Sequence, residues 1–336
     1  MNTALYAAKR IFTLGPAEAD HWSALRVGAS VAIPSLALII LGHEHLLLYV
    51  VFGAFTGMYG RHESHRGRMR HQLHAALMLI AGVGIGALLA AGHASAAVLV
   101  LTECIFAGLA SLYSDRIGLR PSGPFFGIFA LGACASVAAV PPATAIALAT
   151  ASAACALLFG AAGWAKTREW QKQPRRPNAV SPAKAASYVA AIALAGGLSV
   201  TLHIGHPNWA MAAAAVPLSA IGLRHRLTRG AHRILGTLAG IGLAALILLT
   251  PGIPRTPLVL AMLVVALQFP TELFMTRNYG LALVFFTPLI LLMTQLANPM
   301  EPGALLTDRA IETVGGALVG MAVAIVAGAR RRGARM

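Results

Sequence analysis

The chain has 336 residues, of which 57% are hydrophobic and 11% charged, and its mean hydropathy is +0.72. A soluble domain is typically about a quarter charged, so this composition excludes an ordinary globular enzyme or binding domain. The net charge of +15 would suggest nucleic acid in a soluble protein, but here the basic residues sit in short stretches between apolar blocks. No nucleic-acid partner is expected.

Residues 1–20 carry Lys9 and Arg10 but no apolar core, so a cleaved export signal is not expected. Tyr6, Ile11, Phe12 and Leu14 suit a cytoplasmic or interfacial segment over 1–22. The apolar blocks that follow are roughly 15 to 22 residues long, close to the ~20 that a helix needs to cross a hydrocarbon core of about 30 Å. They predict helices at 23–41, 46–60, 73–91, 94–113, 124–140 and 143–164, then at 185–203, 209–223, 232–250, 257–274, 279–296 and 308–329. Membrane barrel strands alternate apolar and polar residues; runs such as 241–249 do not.

Starting from a cytoplasmic N-terminus, the inner stretches receive Arg61, Arg66, Arg68, Arg70, Arg116 and Arg120, the basic residues of 165–184, then Arg224, Arg226, Arg229, Arg233, Arg277 and the Arg-rich tail. Only Arg255 and Arg309 fall outside. That asymmetry is what the positive-inside rule requires. The second and eighth blocks are short, yet they must cross for the rule to hold.

Sliding the chain on itself by 163 positions matches Gly42-His43 with Gly205-His206, Arg61-His62 with Arg224-His225, Arg66-Gly67 with Arg229-Gly230, and Arg70 with Arg233. The expected fold is therefore all-α: a polytopic membrane protein of about twelve transmembrane helices in two six-helix repeats of the same orientation. The repeats are 23–164 and 185–329, with a basic cytoplasmic linker at 165–184 broken by Pro174, Pro177 and Pro182, and a basic tail at 330–336. An even number of helices per copy relates the halves by an axis along the membrane normal, as a pseudo-dimer.

The second half carries Arg224, Arg229-Gly230, Arg233, Gly236-Thr237 and Gly240, then Arg277-Asn278-Tyr279 opening an apolar helix that reaches Phe286-Thr287-Pro288. Asp308-Arg309 and Thr313-Val314-Gly315-Gly316 open the last helix. This constellation resembles the fusaric-acid-resistance-like family, related to bacterial aromatic-acid exporters. The resemblance implies a six-helix membrane unit used in pairs in the bacterial inner membrane, moving small organic anions or aromatic acids. In the first half Leu73 and His74 stand where Gly236 and Thr237 stand, so that copy has drifted. The chain also has no room between its halves for the cytoplasmic domain of the larger exporters.

Ionisable residues at membrane depth mark candidate sites, because burying a charge there costs at least about 2.5 kcal/mol. Glu103 falls near the middle of the fourth helix, as a substrate or proton site or as a buried hydrogen-bonding group. Arg309 and Glu312 lie three apart near the outer end of the last helix, with Asp308 beside them; Arg309 either contacts an anion or pairs with Glu312 along one helix face. Arg277, Asn278 and Tyr279, near Glu272 at the inner end of the tenth and eleventh helices, complete the candidate substrate-binding set.

Other features read as structural. Gly53 and Gly57, Gly82 and Gly86, Gly236 and Gly240, and Gly316 and Gly320 are four apart and suit close helix contacts. Cys104, Cys134 and Cys155 read as packing residues without metal-ligand spacing. His43, His93, His203 and His206 read as interfacial. His62 and His65, and His71 and His74, stand three apart, but adjacent Arg66, Arg68 and Arg70 would repel a metal. Neither metal, cofactor nor enzymatic activity is expected. Membrane lipid and an organic anion are the expected partners, with a homo-oligomer left open, and an exporter of small organic anions, with proton coupling left open, is the leading reading. A passive anion channel, a major-facilitator-type carrier and a non-transporting lipid-interacting protein are the alternatives.

Overall fold

The structure is a computed structural model, and it describes residues 13–16, 20–61, 63–161 and 179–333. The described residues form α-helices, short 3-10 turns and loops, without strands. In chain order the helices are α1 (Asp20–Ile40), α2 (Leu47–Ala54, continued by a 3-10 turn Phe55–Met58), α3 (His65–Ala91), α4 (Ala96–Ile117), α5 (Phe125–Ala135) and α6 (Pro142–Ala161). There follow α7 (Pro182–Thr201), α8 (Pro207–Leu218), α9 (Leu223–Leu249), α10 (Pro257–Met275), α11 (Tyr279–Ala297) and α12 (Pro302–Gly333). Most of the linker 165–184 lies outside the described residues; its last three residues open α7.

The chain writes its helix starts plainly. Ser64, Ser95, Ser181, Thr256 and Asn278 each accept a hydrogen bond from a backbone N–H three residues on, satisfying one of the first-turn donors that a helix leaves free. Proline occupies the first helical position of α6, α7, α8, α10 and α12, where its missing N–H costs nothing.

Eight helices, α3, α4, α6, α7 and α9 to α12, are long and apolar enough to cross a membrane. The chain is a multi-pass membrane protein. The short helices α2, α5 and α8 have almost every residue buried. Walled in by neighbours rather than lipid, they need not match the hydrocarbon thickness.

Some boundaries differ from the sequence reading. α3 begins at His65, α9 at Leu223 and α12 at Pro302, because their polar and basic approaches fold as continuous helix beyond the apolar window. Arg309 and Glu312 consequently lie about 10 and 15 Å along α12 rather than at its mouth.

Several helix contacts occur in similar pairs along the chain. α3 packs on α5 as α9 packs on α11, and α2 on α6 as α8 on α12; α4 lies against α7, and α10 against α1. A Cβ on Gly236 or Gly240 would strike the carbonyls of Gly280 or Leu283, and one on Gly82 or Gly86 those of Gly127 or Leu131. The glycine contacts of α9 thus correspond to those of α3 at a shift of 154, not the 163 that matches the loops. At the basic end the halves are tied by an Arg61–Glu272 ion pair, both side chains nearly or fully buried, and by Lys184–Asp115 at 2.7 Å.

Candidate anion site at the seam of the halves

Two arginines are fully buried where α5, α8, α9 and α12 meet. Arg309 on α12 holds its guanidinium carbon 4.9 Å from the Trp209 ring and 5.9 Å from Phe129. Arg233 on α9 lies 5.6 Å from Phe125. Phe125 and Phe129, one turn apart on α5, stack with centroids 5.8 Å apart. Both arginines are 0% exposed, and none of their six guanidinium nitrogens has a hydrogen-bond partner. They are also close enough to repel each other. Cation–π contact in a desolvated site returns about 2 kcal/mol per ring, but it satisfies none of the guanidinium N–H donors. The arrangement has the chemistry to take an anion: donors without acceptors, lined by aromatic faces.

The rings continue across the seam. Phe52 and Phe55 of the α2 region, Phe126 and Phe129 of α5, and Phe286 of α11 meet at centroid distances of 5.4–6.0 Å. The first half supplies most of the rings and the second half both buried guanidiniums.

Toward the basic end, a cavity of about 380 Å³ is lined by Met58, Arg61, Arg120, Phe126, Arg229 and Thr276, among others. Arg61 is neutralised there by Glu272, while the Arg229 guanidinium lies over the Tyr279 ring at 4.3 Å. Arg229 and Arg233 share one face of α9. The cations therefore run inward from this cavity as Arg229, Arg233 and Arg309, beside Phe126, Phe125 and Phe129. A second cavity of about 260 Å³, lined by Glu44, His45, Arg255 and Gln295 among others, opens at the opposite end.

The acids near Arg309 are spent elsewhere. The His206 backbone N–H donates to Glu312 Oε1 at 2.5 Å, and His206 Nδ1 lies 3.2 Å from Asp308 Oδ2. No carboxylate lies within 4.0 Å of Arg309 among the described residues, so the Arg309–Glu312 pair that the spacing allows is not formed. The His206 imidazole stacks on Trp209 at 4.3 Å and 15°. Burial pushes its pKa below the ordinary histidine value, with Asp308 opposing and Arg309 adding to the shift.

Glu103 on α4 is 0% exposed, with both oxygens unpartnered. It presses on Gly132, where a Cβ would meet both its carboxylate and Asn208. Arg277 and Asn278 are engaged elsewhere: their side chains donate to the carbonyls of Gly15 and Thr13, and Asn278 also caps α11. Tyr279 meets the arginine series through Arg229. Of the histidines of the basic stretch, His62 lies outside the described residues, and the others have local partners, His65 with Arg68, His71 with Glu63 and His74 with Tyr113.

Sequence reasoning missed Arg233, Trp209 and His206 in this site. The sequence favours a topology anchor for Arg233, with attraction of anions as the lesser reading, although the residue falls inside the expected span 232–250, a signal of the same kind as Arg309. His206 is drawn in by Asp308 and Glu312, which only the folded contact reveals.

These features define a helical membrane protein with a buried cationic and aromatic seam. Residues 189–323 match the family model described as fusaric acid resistance protein-like. That match reaches into all six helices of the second half, and over those residues the chain is similar to the fusaric-acid-resistance-like family, as its motifs suggested. The family is one of membrane transport and resistance. No curated protein and no solved structure matches the chain.

Proposed function

We propose that this protein exports small organic anions, aromatic or carboxylic acids, across a bacterial inner membrane. The observation that carries the reading is the pair of fully buried guanidiniums, Arg233 and Arg309, facing Phe125, Phe129 and Trp209 with no acceptor. A carboxylate bound there gains charge-assisted hydrogen bonds in a water-poor site, and an aromatic body gains ring contacts. Substrate enters from the cavity at Arg229 and passes Phe126. Arg309 and Arg233 bind the anion; Glu312 and Glu103 are the acids at the site, while Arg277, Asn278 and Tyr279 shape its basic mouth.

In this reading all twelve helices cross, the halves form a pseudo-dimer about the membrane normal, and both termini lie in the cytoplasm. The placement of arginine and the paired helix contacts support it. The phenylalanines closing the seam favour a gated carrier over an open channel. Growth of a deletion strain and an overexpressing strain across aromatic and carboxylic acids, fusaric acid included, tests the assignment. Opposite shifts in tolerance to particular acids are expected; identical tolerance of both strains to every acid would overturn it.

A further inference from the structure

His206 is the most connected titratable group beside the anion site, although it contributes nothing to the arginine series itself. Its imidazole is stacked on one ring, Trp209, that also holds the Arg309 guanidinium. Its side chain meets Asp308 and its backbone N–H holds Glu312. The charged groups facing it are Asp308, Arg309 and Glu312, all on α12, while from α7 the Ser199 hydroxyl sits beside Glu312. The His206 and Asp308 side chains are 12% and 28% exposed, whereas Arg309 is 0% exposed. The cluster thus reaches from water at the end opposite the basic cavity to the buried cation.

Resting on the anion-site reading above, we propose that His206 is the residue through which proton binding and anion binding at Arg309 are coupled. With Arg309 unneutralised, its positive charge opposes a second charge on His206. An anion on Arg309 cancels that opposition, and Asp308 is already placed to receive the imidazolium N–H. The anion-loaded protein therefore holds the extra proton more readily, and by reciprocity a proton on His206 tightens the anion. The proton comes from water, adds to a ring nitrogen of the neutral imidazole and returns to water when the anion leaves. No other bond changes. The sign follows: affinity is highest at low pH and falls as pH rises through the histidine range.

The test is binding of benzoate and salicylate to the full-length protein in detergent, read by intrinsic tryptophan fluorescence or calorimetry between pH 5.5 and 8, where these probes stay largely anionic. Wild type is expected to bind about fivefold or more tightly at pH 5.5 than at pH 8, and His206→Gln to bind with affinity that does not vary with pH. Asp308→Asn, a milder change, is expected to move the midpoint of the wild-type pH dependence to lower pH. Binding by wild type that is flat with pH, or an unchanged slope in His206→Gln and an unmoved midpoint in Asp308→Asn, overturns the coupling while leaving the anion site standing. Failure of wild type to bind any probe at any pH overturns both.

Discussion

Replacing Arg309 by methionine separates a binding role from a structural one, because only the structural role predicts a large loss of stability. The guanidinium is fully buried and has no acceptor. Holding a charge at membrane depth costs about 2.5–3.5 kcal/mol, and desolvated contacts with two rings return about 2 kcal/mol each, so the two effects nearly cancel. Methionine keeps a side chain of similar reach over Trp209 and Phe129 without the charge. With no organic anion present, Arg309→Met is expected to leave stability within about 1–2 kcal/mol of wild type while abolishing anion uptake. Reversible unfolding in mixed detergent micelles measures the first change and flux into proteoliposomes the second. Loss of stability in Arg309→Met well beyond that range, repaired by adding Glu312→Gln, would show that Arg309 serves a structural pairing and not anion binding.

Three further outcomes follow from the packing. Glu272→Ala leaves Arg61 buried without its counter-ion and should cost about 3–5 kcal/mol in the same unfolding assay, whereas the double replacement Arg61→Met with Glu272→Met should recover most of it; equal loss in both would place the strength elsewhere. Gly315 faces open space while a Cβ on Gly316 would strike the Ala210 carbonyl, so Gly315→Ala should be neutral or stabilising and Gly316→Ala destabilising by about 1–3 kcal/mol, and the reverse order would contradict the α8–α12 contact. In a cysteine-free background, an impermeant thiol reagent applied outside cells should label a cysteine placed near Arg255 or Pro299 and miss one near Arg229; the opposite pattern would invert the topology.

Much of the fold was legible because membrane spans depend on local runs of apolar residues, which a sequence displays directly. The starts of α3, α9 and α12 were placed several residues late, since hydropathy reads where lipid begins and not where a helix begins. Ser64 and Pro302 carried that information as cap and first-turn residues. Arg309, Glu312 and Glu103 stood out as charges inside apolar blocks, and the structure places all three in buried surroundings. Their partners were not legible, because Trp209 and Phe129 approach Arg309 from other helices. Arg277 and Asn278 looked functional from their motif, yet their side chains bond to Gly15 and Thr13, far away in sequence. The 163-residue shift reported matching loops, whereas close contact between helices selected glycines at another register.

In the proposed function, organic anions cross this protein by way of Arg233 and Arg309. The most direct measurement is uptake of labelled benzoate into proteoliposomes containing wild type, Arg233→Met or Arg309→Met at equal reconstituted amounts. Saturable uptake by wild type that falls to the protein-free level in both variants is the predicted result; uptake by the two variants equal to that of wild type would contradict it.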